Sequence, residues 1–147
     1  MFNLLRKLFG RSDKFPREAG PGLDPEMFVY VMIPGDIQPL MRGERFEDPL
    51  IEVLESFSVG SISGGGSQLG EPYPDGRPRV DFCGIDVNVT DRDRALGLIR
   101  EKLVELNTPC GTEVHYTVGN AKLLDRFVEG RWQEGLPRSF KHPGFGV

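Results

Sequence analysis

Cys83, Asp86 and His115 are the side chains in this sequence whose types suit nucleophilic chemistry. A cysteine attacks as a thiolate, which needs a base within about 3 Å and a third group to orient that base. Spacing alone does not bring these three together, and no family-specific signature surrounds Cys83. A small cysteine in a strand is more often a core residue than a nucleophile. No catalytic residue is therefore assigned.

Metal chemistry has even less support. The two cysteines, Cys83 and Cys110, and the two histidines lack the paired spacing of a zinc site. Asp81, Asp86 and Asn88 offer oxygens, yet they alternate as a solvated strand face does, with no calcium-type carboxylate loop around them. No metal and no cofactor is expected.

Ser63-Gly-Gly-Gly-Ser67 has the composition of a phosphate cradle made of backbone N–H groups. It lacks the lysine of a P-loop and opens no helix. The plainer reading is a strand end or tight loop where another backbone comes close. Arg42, Glu44, Arg45 and Glu47 read as an exposed mixed-charge connection.

The elements that must carry these residues follow from periodicity. Met27 to Ile33 is a continuous apolar run rich in β-branched and aromatic residues, bounded by Pro34-Gly35. That pattern describes a central strand. Asp48 and Pro49 suit the cap and first position of a helix whose stripe is Leu50, Val53, Leu54 and Phe57. Residues 59–69 read as a glycine-rich edge strand. In residues 79–89 the alternation flips phase at Cys83-Gly84. A β-bulge there would bring Val80, Phe82, Ile85, Val87 and Val89 to one side. Thr90-Asp91 caps a second helix with the stripe Ala95, Leu96, Ile99, Leu103 and Leu106. Thr112 to Val118 alternates as a fourth strand.

The order is β-α-β-β-α-β, which predicts a ferredoxin-like α+β fold: a four-stranded antiparallel sheet with two helices on one face. Residues 27–118 would form that domain. Residues 1–26 would be an amphipathic segment and linker, and residues 119–147 an extension on or near the sheet. Residues 123–128 read as a helix or as a strand leading into Arg131-Trp132; as a strand, a hairpin turning at Glu129-Gly130-Arg131 would cover part of the open sheet face, and residues 137–147 read as extended. Trp132, Phe127, Phe140 and Phe145 would form a partner hot spot or keep that face dry, the second being preferred for Phe127 and Trp132. Ser61, Ser63, Gly64, Gly65, Gly66, Asp86, Asn88 and His115 form the candidate ligand or partner surface on that face.

The composition bounds what this surface meets. The 147 residues carry a net charge of -4, which opposes nucleic-acid binding by the molecule as a whole. Two cysteines are too few for a disulfide scaffold. No window approaches the ~20 apolar residues of a membrane span, and the expected compartment is the cytoplasm. Phe2, Leu5, Leu8 and Phe9 have helical spacing beside Arg6 and Lys7, which admits membrane contact. A short terminal helix is marginal in water, so a frayed terminus is the preferred reading.

The runs Phe28-Val-Tyr-Val31, Arg42 to Leu50, Ser63 to Gly70, Gly84 to Asp91 and Pro109 to Val114 resemble a group of small uncharacterised bacterial ferredoxin-like proteins of immunity or accessory type. The resemblance implies action by binding and carries over no functional residue. The expectation is a non-enzymatic protein-interaction module that binds a partner or itself. The alternative is a small-molecule sensor or enzyme using the open sheet face and the Gly64–Gly66 loop.

Overall fold

The computed structural model describes residues 24–146. The amphipathic run Phe2–Phe9 and the linker to residue 23 lie outside the described residues. The strands are β1 (Phe28–Pro34), β2 (Gly60–Leu69), β3 (Val80–Val89), β4 (Glu113–Val118), β5 (Ala121–Val128) and β6 (Arg131–Pro137). All pair antiparallel in one sheet ordered β2-β3-β1-β4-β5-β6. The helices are α1 (Pro39–Arg42), α2 (Asp48–Ser56) and α3 (Arg92–Glu105).

This is not the four-stranded ferredoxin-like sandwich expected from the β-α-β-β-α-β order. Among the described residues the sheet has six strands, because β5 and β6 extend it beyond β4 instead of folding over its open face. Glu129 and Gly130 turn this hairpin with positive φ values of 52° and 78°. Trp132 packs against the helix-side core and against Phe127, ring centres 5.1 Å apart, so neither residue covers the open face.

Pleating divides β1 as its two-sided apolar run requires. Val29, Val31 and Ile33 enter the helix-side core, whereas Phe28, Tyr30 and Met32 belong to a second cluster on the other face. Leu50, Ile51 and Leu54 of α2 meet Ala95, Leu96, Ile99 and Leu103 of α3 in the first core. Asp91 caps α3 by accepting the Arg94 N–H. Asn107, at φ 57°, supplies the left-handed residue just beyond the helix.

The helical region before α2 begins earlier than the Asp48 cap suggests. A π-helical turn, Gly43–Glu47, joins α1 to α2, and the Asp48 N–H donates five residues back to the Gly43 carbonyl. The wide turn falls immediately before Pro49, which has no N–H to continue the ladder. The turn carries Phe46 into the core, fully buried. It also buries Arg42 and Glu47, which the sequence placed in an exposed loop.

No bulge interrupts β3 at Gly84. Its register with β1 runs unbroken from Phe28↔Asn88 through Met32↔Gly84 to Pro34↔Phe82. Cys83, Ile85, Val87 and Val89 are the residues facing the helices. Phe82 lies on the opposite face against Phe140, ring centres 6.2 Å apart. The five apolar residues expected together are therefore split. The irregularities lie in the β2–β3 pairing, between Ile62 and Gly64 and between Gln68 and Leu69. Gly84 is required for a different reason: a Cβ there would sit 2.0 Å from the Tyr30 hydroxyl oxygen.

Candidate functional site

The sheet face away from the helices carries a row of side chains across its three central strands. Tyr30 on β1 pairs with Asp86 on β3 and with His115 on β4. Directly opposed residues of neighbouring strands stand on the same face, about 5 Å apart at Cβ. The row places the Tyr30 ring between a carboxylate and an imidazole.

The segment after β6 runs back over this row. Phe140 stacks on Tyr30 with ring centres 5.5 Å apart and planes 7° from parallel. His142 Nε2 lies 3.0 Å from Asp86 Oδ1, and the Gly144 N–H donates to His142 Nδ1 at 2.9 Å. With Nδ1 accepting, the ring's Nε2–H is the one that donates to Asp86. Phe145 packs edge-on against Phe28, and Gly144 lies so close to that ring that a Cβ would overlap it. Arg138 Nη2 donates to Thr117 Oγ1 at 2.9 Å, with its guanidinium 3.8 Å over the Phe145 ring. Burial lowers the Arg138 pKa. The face expected to be open is thus largely closed by residues 138–146.

One part of it stays accessible. Between this cover and β2 lies an open cleft of about 270 Å³. Gly65, Gly66, Ser67 and Gln68 border it on the strand side; Tyr30, Phe82, Asp86, Phe140 and His142 complete its lining. A Cβ at Gly66 would meet nothing within 4 Å, so its missing side chain leaves space. Burial, followed by the Asp86 carboxylate, pushes the Tyr30 hydroxyl up to about 12. The phenol is neutral near pH 7 and serves as a hydrogen-bonding wall.

The residues expected to act together are distributed differently. Gly64, Gly65 and Gly66 form no loop: they lie within β2, opposite Asp86, Ile85 and Gly84. Gly65 belongs to the helix side, where a Cβ would meet the Gly84 carbonyl and the Glu47 carboxylate. Ser61 pairs with Asn88 near the other end of β2, and Ser63 lies at the register shift, its Oγ 3.5 Å from the Asp86 carbonyl. Neither Ser61, Ser63, Asn88 nor His115 lines the cleft; Asp86 and the glycines Gly65 and Gly66 do. His115 is fully buried beneath Phe140. Its Nε2–H donates to Glu113 at 2.7 Å, and its Nδ1 has no hydrogen-bond partner among the described residues. Glu113 also accepts from Arg126 Nε at 3.0 Å. The His115 hydrogen bond, assisted by Arg126, holds the Glu113 pKa below its ordinary value against burial.

Cys83 faces away from Asp86 and His115, into the helix-side core. Burial pushes its thiol up to about 11, with nearby Arg42 opposing and Glu47 adding to the rise. A protonated core thiol on the other side of the sheet is no nucleophile for this row. Its polar neighbours form a separate, structural group: Arg42 Nε donates to Glu47 Oε2 at 2.7 Å, and Arg42 Nη1 reaches Ser67 Oγ at 3.3 Å. Among the described residues, no group of three or more His, Cys, Asp or Glu is placed to hold a metal ion.

Sequence reasoning missed Tyr30, Phe82 and His142 as site residues; of the four aromatics offered as a cover for the sheet face, Phe140 and Phe145 provide it and Phe127 and Trp132 do not. Tyr30 and Phe82 fall within apolar patterns, and His142 lies in the C-terminal extension expected on or near the sheet. The usable signal is the alternation of Phe140 and His142, which gives one side of an extended segment an aromatic surface; Phe145, out of that phase, is brought round by the 3-10 turn Pro143–Phe145.

Comparison with protein-family models, curated proteins and solved structures yields no match. The functional reading therefore rests on this chain's own geometry. Among the described residues, no helix is long and apolar enough to cross a membrane.

Proposed function

We propose that this protein is a non-enzymatic interaction module that binds an extended segment of a protein partner by adding it as a strand beside β2. The supporting observation is the character of that edge. β2 is ten residues long and contains no charged residue and no proline. Edge strands usually carry such residues to prevent pairing with other chains. The opposite edge, β6, does carry them: Arg131, Glu134 and Pro137, with a positive φ of 71° at Gly135. The last four residues of β2, Gly66 to Leu69, are exposed. Leu69 itself is 59% exposed. In strand addition, main-chain hydrogen bonds give affinity and side-chain sockets give specificity. The cover over the central row favours this edge over the face itself. An immunity or inhibitor role, in which the partner is held inactive, is one version of this reading.

The test combines light scattering after size exclusion, at several concentrations, with partner capture from the native cell. The purified complex is then mapped by hydrogen exchange. New protection in β2, lost in a Gln68→Lys, Leu69→Lys double variant, is the expected result. A protein that stays monomeric and retains no partner, or a complex indifferent to that variant, would refute the reading.

A further inference from the structure

The cleft beside β2 has chemistry that selects one kind of side chain. Asp86 is the single acidic residue in its lining, and the lining contains neither lysine nor arginine. The neighbouring imidazole accepts the Gly144 N–H at Nδ1 and turns its Nε2 to the carboxylate. The site therefore presents one negative charge against Phe82, Phe140 and the Tyr30 phenol. Carboxylate with aromatic walls suits an organic cation, through charge-assisted hydrogen bonding and cation–π attraction.

Reach narrows the choice. A strand added beside β2 lies two strand spacings, about 9.5 Å, across the sheet from β3, and a side chain crossing at Gly66 reaches Asp86 two residues along β3. Gly66 is paired with Gly84 and belongs to the same face as Asp86. Having no side chain, it leaves an unobstructed path across β2. Lys and Arg have the long apolar stems to cross that path with a charged head at the far end. We infer that the cleft receives the guanidinium or ammonium head of an arginine or lysine carried by the partner segment that pairs with β2. This inference rests on the strand-addition reading and specifies the partner's chemistry. The stem lies over Gly66, and the head sits between the rings at Asp86.

The test titrates the full chain with butylguanidinium and with uncharged butylurea, following backbone amides by NMR. Saturable shifts confined to Gly66, Gln68, Phe82 and Asp86 are expected, with butylurea at least about tenfold weaker because it lacks the charge. Asp86→Asn retains an acceptor for His142 and should cost about tenfold in guanidinium affinity. Gly66→Val fills the path where no atom stands and should abolish binding. Equal binding of guanidinium and urea, insensitivity to Asp86→Asn, or no saturable binding would overturn the inference. A pair of acetylated seven-residue Thr/Val peptides, with arginine or citrulline at the centre, separates the two readings. If strand addition alone fails, butylguanidinium still saturates the cleft and the arginine peptide binds no better than it does. If the cleft inference alone fails, both peptides protect β2 equally.

Discussion

The two faces of the sheet are built in different ways. Among the described residues, twenty form the buried cluster beneath the helices, whereas three form the buried centre of the tail-covered face. Burial of a large apolar side chain contributes roughly 1.5–3 kcal/mol, so the helix side supplies most of the stability. The other face relies on ring stacking and on polar latches such as His142–Asp86 and Arg138–Thr117. One face therefore holds the fold, and the other positions a cleft at moderate energetic cost. A single sheet can separate stability from recognition because alternate residues of each strand serve opposite sides.

Substitutions test this division, beginning with the largest expected effect. Arg42→Met leaves Glu47 buried without its cation and should cost about 3–5 kcal/mol in denaturant unfolding. The Arg42→Met, Glu47→Leu pair should regain most of that loss; a single variant within ~1 kcal/mol of wild type would show the pair to be dispensable. Ile85→Ala, on the same face, should cost about 2–5 kcal/mol in one cooperative transition.

Phe140→Ala on the opposite face should cost only about 1 kcal/mol, since it removes stacked and edge-on ring contacts from a half-buried position. Amide exchange in residues 138–146 should accelerate while the helix-side core keeps its protection. Equal losses for Phe140→Ala and Ile85→Ala would break the comparison.

Acid offers a smaller perturbation on the tail-covered side. Glu113 has a lowered pKa in the folded chain, so its contribution is present above the unfolded glutamate value of about 4.3. That contribution disappears as pH falls from there through the lower folded value. Thermal midpoints recorded across that range should decline, and Glu113→Gln should flatten this part of the profile. The smallest expected change belongs to Gln68→Lys with Leu69→Lys, which should stay within about 0.5 kcal/mol of wild type. A larger drop would mean that these residues support the fold, and would disqualify the double variant as a probe of binding.

Local elements were readable wherever apolar periodicity and capping agreed. The two-sided run of β1, the edge position of β2 and the Asp91 cap of α3 all follow from residue type. The turn at Glu129-Gly130 is one of two readings of a segment whose apolar pattern also suits a helix. The β3 register did not follow from residue type, because its phase change has two explanations. A bulge at Gly84 would align its apolar residues, but both faces can also hold apolar groups once residues 138–146 supply a second cover. That distinction depends on contacts between segments far apart in the chain. The same limitation hid the cleft, whose lining comes from β1, β2, β3 and the segment after β6. It also hid the burial of Arg42 and Glu47, which depends on a π turn that local propensity does not mark.

The position of β1 has a consequence for biogenesis. Of the described strands it leaves the ribosome first, yet its neighbours β3 and β4 come from much later parts of the chain. Until both arrive, Phe28 to Ile33 exposes two sticky sides and two unfilled rows of main-chain groups. Nascent chains stalled before Glu113 should therefore recruit holdase chaperones and aggregate when these are depleted, and extension through β4 should relieve this.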